Sequence, residues 1–278
     1  MLTDYHVHLR PDDEDTPPER YFTAANAERY REVATERGIA ELGVAEHIHR
    51  FTQALAIWQH PWWRHWARDD IDDYCSFVRD ETDLRLGIEA DYVSGREDRV
   101  ASFLDAREWD YVVGSVHFLA DAAVDMDDPE FEHVWGRGER PDRVWQRYFA
   151  ALAQAASSGL YDIIAHPDLV KIWGSARPQP ERDPRHYYEP AVAAMLDANV
   201  AMEMSTAGLR KPVGELYPGR ALLAMAVDAG LPIALSSDAH LPEQLGHRYD
   251  EAVAALTDAG VSEICVFERR RRRMEPIG

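Results

Sequence analysis

Short apolar, β-prone runs alternate with helix-like segments along nearly the whole chain, and this alternation limits the possible folds more than any other feature. The predicted strands are residues 2–6, 41–45, 84–89, 111–116, 161–165, 200–204, 232–236 and 263–267. The predicted helices are residues 24–37, 71–81, 143–158, 188–198, 220–229 and 242–259. Glycines directly follow several of these helices, as is common at helix ends. Strands that alternate with helices predict an α/β fold with a mainly parallel sheet, open or closed into a barrel.

The length of 278 residues, 46% of them hydrophobic, is sufficient for one sizeable core. We therefore interpret residues 1–278 as a single domain, with surface loops expected at 120–142 and 168–187. No apolar run reaches membrane-spanning length. The first residues, MLTDYHVH, lack the charged-then-apolar pattern of a secretory leader, so we expect neither a signal peptide nor a membrane partner.

Charge and cysteine content narrow the possible partners and the compartment. The 50 acidic residues outnumber the 30 lysines and arginines, and the formal net charge of −20 disfavours nucleic acid as a partner. A small phosphorylated substrate remains compatible, because a local cationic pocket can hold one. Cys75 and Cys265 form neither a disulfide framework nor a thiolate metal motif, which predicts a reducing, cytoplasmic setting. The sequence does not indicate an oligomeric state.

Seven successive predicted strands end in a potential metal ligand or another charged group; the sixth supplies Glu203 and then Arg210 and Lys211. The candidate metal ligands at the ends of the other six strands are His6, His8, His47, Glu89, His117, His166, Asp238 and His240. In a parallel barrel the carboxyl ends of the strands share one rim, where active sites are built. A single histidine at a strand end is more often structural, but coincidence does not explain eight such residues in register with the strands. Imidazoles and carboxylates together suit divalent cations, so we predict a metal centre at this rim.

The order of these motifs resembles that of the PHP superfamily, named for polymerase and histidinol phosphatase. More narrowly, the stretches HPDLVKIWG and EMSTAGLRKPVGELYPG are similar to segments of the histidinol-phosphate phosphatase family. The resemblance extends from Asp4 to about Arg273. It implies a distorted (β/α)7 barrel with two or three divalent ions at the carboxyl ends of the strands, and zinc, manganese and iron all remain possible.

The resemblance also implies how the ligands are shared among the ions. One ion would be held by His6, His8, Glu89 and Asp238; Glu89 would bridge to a second ion on His117 and His166; and a third would take His47 and His240. Relatives place a further histidine six residues after the second histidine of the opening motif, where this chain has Glu14. The replacement ligand is Asp12, Asp13 or Glu14, or else the third site is weak.

The function implied by the resemblance is hydrolysis of a small phosphate monoester, most specifically L-histidinol phosphate, by hydroxide shared between two ions that Glu89 bridges. Lys171, Arg210 and Lys211 are candidates for binding the phosphate, since arginine suits a bidentate grip on it. Ordinary surface ion pairs are the alternative for these three cations. Asp238 or His240 is a candidate proton donor to the leaving group. Glu203 is interpreted from its position as a partner for the substrate's amine or imidazole.

Competing interpretations stay open at this point. A phosphodiesterase of the same superfamily is one. An amidohydrolase-type C–N hydrolase is another, because DYHVHLR contains the H-x-H-x-R motif of such enzymes. The lack of a lysine counts against it: these enzymes usually need a carboxylated lysine after strand 4, where this chain has Val116 and His117. A non-catalytic module is disfavoured, since structural zinc sites are usually closed Cys/His sets.

Two unusual segments have separate interpretations. The tryptophan-rich segment 51–70 either covers a substrate pocket or packs an inserted helix, and the arginine run at 269–273 is expected to be structural.

Overall fold

Seven parallel strands form the centre of the fold, with helices packed around them. The computed structural model describes residues 1–13, 15–126 and 128–278. The strands are β1 (Leu2–Asp4), β2 (Ile39–His47), β3 (Arg85–Asp91), β4 (Tyr111–Ser115), β5 (Phe118–Leu119), β6 (Ala122–Ala123), β7 (Ile163–Ile164), β8 (Ala201–Ser205), β9 (Ile233–Ser236), β10 (Glu263–Glu268) and β11 (Arg271–Pro276). The α-helices are α1 (Pro18–Tyr21), α2 (Ala24–Glu36), α3 (Pro61–Trp66), α4 (Ile71–Glu81), α5 (Glu97–Asp105), α6 (Pro141–Ser157), α7 (Arg185–Asp197), α8 (Arg220–Asp228) and α9 (Tyr249–Asp258).

The parallel sheet curls into a nearly closed barrel. Its strand order is β1-β2-β3-β4-β7-β8-β9, and every neighbouring pair is parallel. The two outer strands approach each other just beyond their ends, where Val7 and Ala239 form a parallel bridge. The His8 N–H donates to the Ala239 carbonyl at 2.8 Å, and the Ala239 N–H donates to the His6 carbonyl at 3.2 Å. The two outer strands of the barrel, β1 and β9, therefore meet where His6, His8 and Asp238 lie.

The helices pack on the outside of the barrel through apolar faces, as α4 illustrates. Asp70 caps its amino end by accepting hydrogen bonds from the backbone of Asp72 and Asp73. Its buried residues are Ile71, Tyr74, Phe77 and Val78, whose spacing forms one helical face. The Tyr74 hydroxyl donates to the Gly87 carbonyl at 2.8 Å, which ties the helix to β3.

A carboxyl-terminal hairpin closes the amino end of the barrel. The predicted strand at 263–267 forms as β10, but it pairs with β11 in a separate antiparallel sheet rather than joining the barrel. Phe267 of β10 packs edge-on against Tyr5, with ring centroids 5.7 Å apart, inside a core cluster that lines the barrel. Arg270 in the arginine run bonds to Asp162 at 2.9 Å, so the run is used structurally.

Two glycines make room for the ring of Tyr111 inside the barrel. Tyr111 of β4 is fully buried, and a Cβ on Gly87 would lie 2.3 Å from its ring. A Cβ on Gly43 would lie 2.4 Å from its hydroxyl oxygen. These contacts are far closer than packed atoms allow, so neither Gly43 of β2 nor Gly87 of β3 can carry a side chain while this ring stays in place.

Several predicted elements differ from the structure. The predicted helix 242–259 is a short 3-10 turn, Pro242–Gln244, followed by α9, because Gly246 and Arg248 adopt positive φ angles of 61° and 52°. Helix α5 and the β5–β6 hairpin, whose second strand lies inside the predicted loop 120–142, were not predicted. No helix among the described residues combines the length and the apolar character needed to cross a bilayer.

Candidate metal centre

All eight predicted ligands lie at the carboxyl end of the barrel. His6 and His8 follow β1, His47 ends β2, Glu89 lies in β3, His117 follows β4, His166 follows β7, and Asp238 and His240 follow β9. Five of them are buried below a tenth of their surface, namely His6, His8, Glu89, His117 and His166. The parallel strand ends thus gather side chains that are separated by up to 234 residues in sequence.

Glu89 is at the centre of this cluster. Its Oε2 atom lies 3.3 Å from His6 Nε2 and 3.7 Å from His8 Nε2, and it also contacts His47 Nδ1. Its Oε1 atom lies 3.3 Å from His166 Nε2 and 3.4 Å from His117 Nε2. Each carboxylate oxygen therefore faces a different set of imidazoles. A single carboxylate placed in this way can be shared by two cations.

Four groups of three side chains each bring potential ligand atoms within 4.8 Å of one another. The groups are His6–Glu89–His166, His47–Glu89–His117, His6–His8–Asp238 and His8–His47–His240. Glu89 is common to two groups, as expected. These groups place His166 with His6 and His117 with His47, whereas Glu89 Oε1 lies close to both His117 and His166, the pair expected for the second ion. The assignment of individual histidines to ions stays a prediction.

Buried polar atoms without hydrogen bonds indicate that these residues suit a metal ion. His6 Nε2, His8 Nε2, His47 Nδ1, Glu89 Oε2 and Asp238 Oδ1 are all buried and have no hydrogen-bond partner among the described residues. Leaving so many buried polar atoms unpaired is costly. The same atoms face one another, and a mixed set of imidazole and carboxylate donors matches the preferences of zinc, manganese and iron. The donor set therefore fits divalent cations.

The electrostatic environment keeps the carboxylates ionised. Burial opposes ionisation of Glu89, yet the imidazoles of His47, His6 and His117 hold its pKa well below the usual value. Burial likewise opposes a charge on His117, but Glu89 and Asp91 raise the pKa of His117 to about 10. Burial lowers the pKa of His240 to about 4, which leaves that ring neutral at pH 7. Ligands must be deprotonated, so cation binding at His117 would release a proton.

Two further carboxylates accept hydrogen bonds from imidazole nitrogens that point away from the centre of the cluster. Glu203 Oε1 accepts a hydrogen bond from His6 Nδ1 at 2.9 Å, and Asp91 Oδ1 accepts one from His117 Nδ1 at 2.7 Å. Both acids are buried. Outer carboxylates of this kind orient metal-binding histidines. The interpretation of Glu203 as a substrate-binding residue is therefore wrong, because its oxygens are engaged by His6 and by the backbone of His166.

Asp12 lies beside His240, where the sequence left the identity of a further metal ligand open. Its Oδ2 atom lies 3.3 Å from His240 Nε2, and its Oδ1 atom accepts a 2.5 Å hydrogen bond from the buried Arg50. Asp13 turns away and accepts hydrogen bonds from the Thr16 backbone and hydroxyl. Glu14 lies outside the described residues. Of the two described candidates, only Asp12 contacts the cluster.

The three predicted phosphate-binding cations have different surroundings. Arg210 Nη2 donates to the carbonyls of Ser237 and Asp238, each at 2.8 Å, whereas its buried Nη1 has no partner in the described part of the chain. Lys211 is exposed. Lys171 is buried, and its ammonium bonds to Asp168, Glu215 and the Leu216 carbonyl at 2.9–3.0 Å. Three acceptors match the three donors of an ammonium group, so the structure does not favour Lys171 as a phosphate ligand.

Residues near the rim that the sequence left open also have clear roles. Arg10 donates to Asp69 at 2.7 Å and lies over the Trp66 ring, so its charge is paired inside the fold. Trp63 is fully buried and packs against Trp58 with ring centroids 5.6 Å apart. The tryptophan-rich segment therefore provides aromatic packing for the inserted helix α3. Nothing in these contacts requires a ring-bearing substrate.

Comparisons with known proteins show the family to which the chain belongs. The family model of the PHP domain matches residues 21–207, which is more than half of the chain. The chain belongs to the PHP domain family. A Deinococcus radiodurans protein named "probable histidinol-phosphatase" is 32% identical to this PHP protein over 282 residues and covers 99% of each chain. The histidinol-phosphatase of Bacillus subtilis is 27% identical over 184 residues, 62% of this chain and 69% of the relative.

A solved structure shares the fold of this PHP protein. The histidinol phosphate phosphatase of Lactococcus lactis, solved with zinc, L-histidinol and phosphate, superposes with a TM-score of 0.71. The match covers 98% of each chain at 19% sequence identity. At this identity the similarity establishes the fold, a nearly closed seven-stranded barrel.

Proposed function

We propose that this PHP protein is a metal-dependent phosphatase that hydrolyses L-histidinol phosphate to L-histidinol and phosphate. The observation that carries the proposal is the position of Glu89, which belongs to two groups of candidate ligands, one with His6 and His166 and the other with His47 and His117. This arrangement can hold two cations side by side. The histidinol-phosphatase names of the relatives, one of them similar along 99% of both chains, support the choice of substrate.

The residues that would hold the ions are His6, His8, His47, Glu89, His117, His166, Asp238 and His240. Asp12 adds a carboxylate beside His240. When bound, such ions lower the pKa of water and neutralise the charge on phosphoryl oxygens. Phosphate monoesters resist uncatalysed hydrolysis strongly, so both effects are needed. The number of ions, two or three, and their identity as zinc, manganese or iron are parts of this proposal that metal analysis must decide.

The protein's own groups would bind and orient the substrate. Arg210 is fixed by two backbone carbonyls beside Asp238, and its Nη1 can donate to a phosphate oxygen. Lys211 is adjacent in sequence but exposed, so we expect it to contribute little to phosphate binding. Asp238 or His240 is the candidate for passing a proton to the departing alkoxide. We assign all of these roles to one phosphoesterase domain, and the two free cysteines support a reducing, cytoplasmic setting.

Neither lysine supports the alternative of a C–N hydrolase with a carboxylated lysine. Lys171 is buried in an ion pair with Asp168, and Lys211 is exposed. A phosphatase therefore fits the cluster better than an amidohydrolase of that type.

A substrate panel tests the proposal. Purified protein loaded with zinc or manganese is assayed for release of phosphate from histidinol phosphate, p-nitrophenyl phosphate and a phosphodiester, and for cleavage of dihydroorotate. We expect the highest kcat/KM with histidinol phosphate and loss of activity in Glu89→Gln. A faster reaction with the phosphodiester or with dihydroorotate would contradict the proposed substrate class, and full activity of Glu89→Gln would contradict the role of Glu89.

A further inference from the structure

We propose that Glu203 is a positioning residue that holds His6 and His166 in place as ligands of the same ion. The inference rests on the proposed function only in requiring that the cluster binds metal. Glu203 lies in β8, has no exposed surface, and sits behind the cluster rather than in it. Its two oxygens contact two candidate ligands that come from different strands.

The first contact selects which nitrogen of His6 is available. Glu203 Oε1 lies 2.9 Å from His6 Nδ1, and an ionised carboxylate can only accept a hydrogen bond. The proton of the neutral imidazole is therefore on Nδ1, which leaves the lone pair on Nε2. That atom points at Glu89 Oε2, 3.3 Å away. The contact thus presents His6 to the cluster in the form that binds a cation.

The second contact holds the backbone of His166. The residue follows β7, which has only two residues, and its φ angle of +23° lies in a region that L-amino acids rarely adopt. Glu203 Oε2 accepts a 2.6 Å hydrogen bond from the His166 N–H. With the backbone held in this way, His166 Nε2 lies 3.3 Å from Glu89 Oε1. Backbone strain of this kind persists where surrounding contacts enforce it.

The two contacts together require a carboxylate. Both partners of Glu203 are donors, so an amide in its place would turn its NH2 group toward one of them. The group His47–Glu89–His117 does not include the residues that Glu203 holds; its His117 is held by Asp91 instead. Loss of the carboxylate at Glu203 should therefore weaken the ion held by His6 and His166, whereas loss of the carboxylate at Asp91 should weaken the other.

The experiment measures metal per chain against increasing chelator for zinc-loaded wild type, Glu203→Gln, Asp91→Asn and the double variant. We expect each single variant to release one ion at about 10- to 100-fold lower chelator than wild type, the effect typical of outer-shell partners. The double variant should release two. Melting of the chelator-treated proteins checks folding, and Glu203→Asp, which keeps an acceptor, replaces Glu203→Gln if that variant does not fold.

Retention of all ions by Glu203→Gln at wild-type chelator concentrations would overturn the proposal. Simultaneous loss of every ion would also overturn it, because that result indicates collapse of the site rather than release of one ion. The outcome is independent of the substrate: a wild type that binds metal but hydrolyses no monoester would refute the proposed function and leave the role of Glu203 intact.

Discussion

Arg210 should contribute to phosphate binding by a predictable amount. Its Nη2 is occupied by the carbonyls of Ser237 and Asp238, whereas its buried Nη1 has no partner among the residues that the structure describes. A hydrogen bond to a charged group contributes about 1.5–3 kcal/mol. Since 1.36 kcal/mol corresponds to a factor of ten, Arg210→Ala should weaken phosphate binding roughly 10- to 150-fold.

Two measurements test the expected loss of phosphate affinity in Arg210→Ala. They are KM for histidinol phosphate and the inhibition constant of inorganic phosphate, both at constant metal content. Lys211→Ala is the matched control, because Lys211 is adjacent and exposed, and a surface charge contributes only about 0–1 kcal/mol. Arg210→Lys should recover only part of the affinity, since a lysine cannot bond to both carbonyls and the phosphate in the same geometry. If Arg210→Ala changes both constants less than threefold, Nη1 does not contact phosphate and the reasoning fails.

Three further outcomes follow from the structure. Phe267→Ala should lower the free energy of unfolding by about 3–5 kcal/mol in urea titrations, whereas Met274→Ala, 38% exposed on the same hairpin, should cost far less; equal effects would refute the closing role of the hairpin. Burial raises the pKa of Cys75 and of Cys265 to about 12. In the native protein at pH 8, both thiols should therefore react with a disulfide reagent at least about 100-fold more slowly than free cysteine does. In the denatured protein, both should react at the rate of free cysteine. Asp12→Asn should lower the metal content of the protein, whereas Asp13→Asn, which alters only the turn at Thr16, should not; equal metal content in both would exclude Asp12 as a ligand.

The barrel strands and the cluster could be predicted from the sequence because both depend on local patterns. Each barrel strand is a short apolar run whose end is marked by a polar residue, so the predicted and observed strands largely overlap. Parallel strands place their carboxyl ends on one side, which is sufficient to bring His6, Glu89 and Asp238 together. The resemblance to the PHP family and to its barrel is confirmed by the family match and by the shared fold.

The remaining features depend on contacts between distant residues. The apolar pattern of β10 resembles that of a barrel strand, and nothing local indicates that it pairs with the charged β11 beneath the barrel. Helix α5 is short and four of its nine residues are charged, although the spacing of Val100, Phe103 and Leu104 was a usable signal. Asp91 stands two residues after Glu89 on the same strand, which could have suggested a supporting role. The dual contact of Glu203 cannot be read from sequence, because its partners lie on other strands.

The central claim is that Glu89 and the surrounding imidazoles hold at least two cations close together. Anomalous diffraction from a crystal grown with manganese or zinc tests it most directly. We expect two peaks sharing Glu89, one next to His6 and His166 and the other next to His47 and His117. Peaks elsewhere in the protein, or an ordered cluster that binds no ion at saturating metal, would contradict the claim.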